Sequence, residues 1–146
     1  MTDKIGQVEW EMRNLPGLLP KMRTDLGVSG VAGVTFTVGA PDTGTVGIQL
    51  LDAAGSNLDG VGIVQGYLAD AATGLAPTSD EPSGGIAIGT DGVLLEIGTT
   101  GLFTLISEDD GHIDVVLTEA GADTWYLVIV LPNGTITVST VITFTA

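Results

Sequence analysis

The chain of 146 residues contains no cysteine. Disulfides, thiolate metal sites and cysteine nucleophiles are therefore excluded together. Its one histidine is His112, so neither a His-rich metal site nor a two-histidine HExxH arrangement can form. Lysine and arginine number four against 18 acidic residues, a formal net charge of −14. That balance argues against a nucleic-acid partner, because phosphate binding requires clustered basic side chains. Aromatic residues make up 5% of the chain, too few for the platforms a sugar cleft needs. The longest apolar run, residues 125–131, falls far short of the ~20 residues that cross a bilayer. The first residues include Asp3, Glu9 and Glu11 and no continuous apolar stretch. No secretory signal is read there, and synthesis in the cytoplasm without Sec export is expected.

The charge that is present is unevenly placed. Lys4, Arg13, Lys21 and Arg23, offset by Asp3, Glu9 and Glu11, leave residues 1–23 at +1, and the other fifteen carboxylates leave residues 24–146 at −15. A body without one basic side chain must solvate its carboxylates, hydrogen-bond them or give them to a metal. Such asymmetry is read either as an acidic, self-repelling soluble surface or as a chain whose parts face different partners. Charged residues are 15% of the total, against about 25% in ordinary domains. Either Thr and Gly carry the solubility, or part of the surface is buried against other chains.

At roughly 150 residues per domain, the length suggests one folded domain, and two regions are expected. In residues 1–27, Ile5, Val8, Met12 and Leu15 recur at helical spacing, with charged residues largely around the other faces. This pattern predicts a short amphipathic helix ended by Pro16-Gly17. Leu18, Leu19, Met22 and Leu26 follow around Pro20 as extended chain, and Gly27, Gly30 and Gly33 form a junction. Fully extended, such an arm reaches about 85 Å at ~3.3 Å per residue. The helix either packs on its own domain or serves as an apolar arm binding a neighbour, in which case the candidate partner-contact residues are Ile5, Val8, Trp10, Met12, Arg13, Leu15, Leu18, Leu19, Lys21, Met22 and Arg23. Burying the apolar ones would stabilise a complex by roughly 1.5–3 kcal/mol per fully buried side chain, before ordering costs.

Residues 28–146 switch to a period of two. Val34, Phe36 and Val38, then Val46, Ile48 and Leu50, then Ile113, Val115 and Leu117 alternate with mainly polar or small residues. Ile136, Val138, Ile142 and Phe144 share even positions, predicting one strand with a buried and a wet face, interrupted by a bulge at Thr140-Val141. Asp91-Gly92 and Asn133-Gly134 are the strongest hairpin signals; Asp59-Gly60 and Asp110-Gly111 sit in longer loops. Residues 71–84, with Pro77 and Pro82, read as an exposed loop. Strands are expected to start near Val31, Val46, Gly62, Ile86, Val93, Leu102, Ile113, Trp125 and Thr135. Residues 125–131 are apolar on both faces and predict a central strand covered on both sides, or a subunit interface on one of them. With no lysine to guard the sheet edges, Gly, Asp and Pro must do so, or another subunit covers them. The expected fold is an all-β antiparallel sandwich preceded by a partly helical N-terminal arm.

Candidate chemistry is sparse. Residues 107–114 hold Glu108, Asp109, Asp110 and Asp114; these could ligate a calcium ion, but their spacing is not that of an EF-hand. Glu96, Glu108 and Glu119 could pair as glycosidase carboxylates, though without aromatic platforms. A Ser-His-Asp arrangement could use only His112, and no G-x-S-x-G elbow is present. Neither a Walker A motif nor a G-x-G-x-x-G before a helix occurs. No catalytic residues, no metal and no cofactor are expected.

The segments Ile48-Gln-Leu-Leu-Asp-Ala-Ala-Gly55 and Gly66-Tyr-Leu-Ala-Asp-Ala-Ala-Thr-Gly-Leu75, with Ser107-Glu-Asp-Asp-Gly-His-Ile-Asp114 and Trp125-Tyr-Leu-Val-Ile-Val-Leu-Pro-Asn-Gly134, carry a resemblance. Over residues 46–144 the chain resembles small Ig-like virion proteins of tailed bacteriophages. The resemblance implies an Ig-like sandwich, no enzymatic activity, and decoration of the outer capsid surface. It implies the major capsid protein as partner and a homo-oligomer, trimers included, with no nucleic acid and no membrane. The alternatives are a receptor- or glycan-binding fibre module and a tail-tube or connector component. For the acidic loop at residues 107–114, solvated carboxylates predict a melting temperature unchanged by millimolar calcium, whereas a bound ion raises it.

Overall fold

The computed structural model describes residues 30–97 and 101–146. Ten strands follow in order: β1 (Gly33–Val38), β2 (Thr45–Leu51), β3 (Ile63–Ala69), β4 (Ile86–Ile88), β5 (Val93–Glu96), β6 (Leu102–Ile106), β7 (His112–Leu117), β8 (Asp123–Val130), β9 (Ile136–Val138) and β10 (Ile142–Phe144). They form two antiparallel sheets. One is four-stranded, β1-β2-β7-β4; the other is six-stranded, β10-β8-β3-β6-β5, with β9 also paired to β8. This is the expected all-β sandwich. The spatial order matches the two sheets of an immunoglobulin sandwich, except that the β5-β6 hairpin follows β4 in the chain. Among the described residues there is no helix. The expected N-terminal helix and its candidate contact residues, from Ile5 to Arg23, lie outside the described residues.

The core of residues 31–146 comes from alternating positions of both sheets. The four-stranded sheet contributes Val34, Val46, Ile48, Leu50, Ile113, Val115 and Leu117; the other contributes Val64, Leu68, Phe103, Leu105, Trp125, Leu127, Ile129, Ile142 and Phe144. Trp125 and Phe144 meet edge to face at 5.9 Å and 72°, the arrangement that the ring quadrupoles favour. The Trp125 indole N–H donates to the carbonyl of Asp80 at 3.0 Å, so the largest core side chain also holds a loop. Gly66 opposes Phe103 on one side and Ile129 on the other. A Cβ at Gly66 would lie 2.5 Å from the Phe103 ring, so the glycine makes room for that ring.

The last two strands correct a sequence expectation. Val138 opposes Val128, while Ile142 opposes Trp125. Four steps along the edge chain therefore match three along β8, and one extra residue is accommodated. Because side chains alternate at every residue, that single insertion switches faces. Ile142 and Phe144 enter the core, whereas Val138 stands beside Val128 on the outer face. The buried Ser139 holds the bulge: its N–H donates to the Leu127 carbonyl at 2.9 Å, and the Leu127 N–H donates to its hydroxyl at 2.9 Å.

Two turn expectations resolve differently. Asn133-Gly134 does join paired strands, β8 and β9, with Gly134 at φ 86°. Asp91-Gly92 does not close a hairpin, because β4 pairs with β7 in one sheet and β5 with β6 in the other. The turn residues instead carry the chain across the sandwich. Residues 71–84 are the largely exposed loop that was expected, with Gly74, Thr78 and Pro82 as its buried contacts. Gly74 lies against Val128, Ile136 and Val138, and Tyr67 donates to its carbonyl at 2.6 Å. This segment covers the second face of β8, the strand that is apolar on both sides.

Replacing Trp125 with Ala removes the edge-to-face contact and the Asp80 bond and leaves a cavity. The expected loss in chemical denaturation is about 3–5 kcal/mol, as for other large buried aromatics.

Candidate functional site

With no lysine or arginine beyond position 23, backbone N–H groups and hydroxyls bind several of the carboxylates. Asp52 accepts from the N–H groups of Ala54 and Ser56 at 2.8 and 3.0 Å. Asp42 reaches the C-terminal end, accepting from the N–H and hydroxyl of Thr145 at 2.5 and 2.8 Å. These two bonds, the N–H foremost, hold its carboxyl below the ordinary range. Glu119 gathers most: the Ser83 N–H at 2.7 Å, the Ser83 hydroxyl at 2.9 Å, and the N–H groups of Ala120 and Gly121 at 2.7 and 2.8 Å. The Ser83 N–H leads in lowering its carboxyl to about 2, followed by Gly121, against a smaller opposing cost of burial. Glu81 accepts from the Gly101 N–H. Each of these bonds stitches a loop to another part of the chain or closes a turn, so these carboxylates act as loop anchors.

One histidine–carboxylate constellation is assembled. On β7, His112 and Asp114 share the face opposite to core residues Ile113 and Val115. The preceding β4–β5 crossover supplies Asp91, whose carbonyl accepts from the Asp114 N–H at 2.8 Å. The His112 ring is held between carboxylates, Nδ1 at 3.0 Å from Asp91 and Nε2 at 3.7 Å from Asp114. Asp114 also accepts from the Thr90 hydroxyl at 2.5 Å. His112 opens strand β7 and is half-buried. Among the described residues these three form the one cluster with metal-ligand proximity. The carboxylates address opposite edges of the ring, which clamps the imidazole more readily than it encloses a common ion. Glu108, Asp109 and Asp110 do not join it. The Thr90 hydroxyl bonds to Asp114 instead of the ring, so these residues do not assemble a Ser-His-Asp-type relay. Glu96, Glu108 and Glu119 belong to different elements, and Glu119 is committed to its turn.

The larger surface feature is apolar and was missed by periodicity. The outer face of β3, β6 and β5 carries Ile63, Leu102, Val93 and Leu95, continued by Val61 and Ile97, between 37% and 60% exposed. Cross-strand pairing makes them neighbours: Val93 beside Ile106 beside Ile63, then Leu95 beside Thr104 beside Gln65. Ile97, bonded through its N–H to the Leu102 carbonyl at 2.8 Å, extends the next row toward Tyr67. No carboxylate belongs to these rows. The available signal was adjacent apolar pairs, Ile63-Val64, Leu94-Leu95, Leu102-Phe103 and Leu105-Ile106, which put an apolar residue on both faces of a strand. The N-terminal candidate residues cannot be placed against either feature, since they lie outside the described residues.

Compared with known protein families, curated proteins and solved structures, the chain matches none.

Glu119 generates a signed pH prediction. Its carboxyl sits near 4.5 when unfolded and about 2 when folded, so it stabilises above pH 4.5 and loses that contribution as pH falls toward 2. Glu119→Gln is expected to lower the melting temperature at pH 7. The gap from the parent should close as pH falls from 4.5 to 2; a pH-independent gap would contradict the assignment.

Proposed function

We propose that the protein is a non-enzymatic structural component of a tailed-phage virion. In this reading it decorates the outer capsid surface through residues 1–27 and projects its sandwich outward as a homo-oligomer. The observation that carries the reading is the character of the described surface. Its largest distinctive feature is an uncharged apolar sheet face of the kind used between proteins. The chemistry-bearing groups are tied up in structural bonds: Glu119 in its turn, Asp42 at the C-terminal strand, and His112 between two carboxylates. A rigid sandwich with its own core, preceded by an apolar segment of opposite charge, suits a module whose job is attachment. Repeated over many copies, even weak docking reinforces a shell. This architecture also suits a polymerising tail-tube component; stable rings of the isolated protein in electron micrographs would favour that reading over decoration.

The direct test deletes residues 1–27 and measures binding to capsids that lack the protein. Among the described residues the core is built from positions 31–144, so the remaining domain is expected to fold. Binding should be lost while the melting transition of the sandwich persists. Undiminished binding would overturn anchoring through this segment.

A further inference from the structure

We propose that the outer face of β3, β6 and β5 is a contact surface for a second copy of this chain, packed face to face around a two-fold axis. This gives the homo-oligomer of the proposed function a surface, and it stands without the capsid.

The first argument is electrostatic. A two-fold contact sets the same patch against itself, so the patch must be self-complementary. Residues 24–146 carry carboxylates and no lysine or arginine. An acidic patch of this body therefore repels its own copy on contact. The Val93–Ile106–Ile63 and Leu95–Thr104–Gln65 rows contain no ionisable group. They are self-complementary by being neutral. A basic partner would be drawn instead to the carboxylate-bearing surfaces, so this face selects a neutral apolar surface like itself.

The second argument is area. Val61, Ile63, Val93, Leu95, Ile97 and Leu102 are 37% to 60% exposed. Together they present on the order of 500 Å² of apolar surface, at the upper end of what a monomer leaves uncovered. Two copies would bury about 1,000 Å², the lower range of specific interfaces. The predicted complex is therefore a reversible dimer. Sandwich sheets already pack this way, apolar face on apolar face at about 10 Å, so the geometry needs no rearrangement.

Sedimentation velocity of the full chain over a concentration series, at low and at high sodium chloride, tests the proposal. The expected result is a monomer–dimer equilibrium whose dimer fraction rises with concentration and with salt, because screening relieves repulsion between acidic copies. Leu95→Glu and Ile63→Glu each place like charges across the axis and should weaken association at least tenfold. Thr35→Glu adds the same charge to β1, in the other sheet, and should leave association within about twofold of the parent. A second measurement covers variants that misfold. In this cysteine-free chain, Thr104→Cys should yield a disulfide-linked dimer on mild oxidation, whereas Thr35→Cys should not. Four outcomes overturn the proposal: a full chain that stays monomeric throughout, a trimer mass, a dimer indifferent to Leu95→Glu and Ile63→Glu, or a dimer formed only after deletion of residues 1–27, which would mean that this segment occupies the face. Capsid binding reports separately, so loss of one property with retention of the other shows which reading has failed.

Discussion

The structure of residues 31–146 depends on how a chain segment with many carboxylates and no lysine or arginine disposes of negative charge. Where a carboxylate without a cationic partner is held, N–H and O–H donors hold it, and in this sandwich those donors come mainly from turns and strand ends. Glu119 binds the Ser83 loop and its own turn, and Asp42 binds the last residues of the chain. Asp52 closes the turn after β2. Such bonds are directional and charge-assisted, so they fix loop geometry as well as neutralising a desolvation cost. The acidic composition thereby becomes part of the fold.

The same constraint shapes the surface. With many carboxylates in turns and loops, the sheet faces are mostly Thr, Gly, Gln and apolar side chains. On the four-stranded sheet the outer face carries His112, held between Asp91 and Asp114. On the other sheet one half of the outer face is roofed by the segment around Gly74. On the other half, β3, β6 and β5, Ile63, Val93, Leu95 and Leu102 stay exposed. Both the covering segment and the exposed rows follow from strands that are apolar on two faces, a pattern that needs a cover on each side.

Much of the fold was legible because alternation and turn chemistry are local. The periods at residues 34–38, 46–50 and 113–117 mark strands whose inner residues are fully or partly buried in the core, and Asn133-Gly134 closes the hairpin it signals. Failures occurred where the outcome depends on partners distant in sequence. Asp91-Gly92 has hairpin chemistry, yet its flanking strands pair elsewhere. Ile136, Val138, Ile142 and Phe144 share parity, yet one extra residue at the Ser139 bulge divides them between faces. The interruption was visible at Thr140-Val141, but only pairing with β8 shows which residues change sides. The candidate site was less legible still. Nothing near Asp91 in sequence announces His112, and the apolar rows exist only through the registers of β3, β6 and β5.

If hydrogen bonds to neutral donors, and not ion pairs, hold the carboxylates, added salt has net repulsion to screen and little charge attraction to weaken. The most direct measurement is thermal unfolding of residues 28–146 at pH 7 as sodium chloride rises from about 10 mM to about 150 mM, the range in which screening changes most. The account predicts a melting temperature that rises steadily with salt. A melting temperature that falls over that range would show that attractive charge pairs hold the fold, and would contradict it.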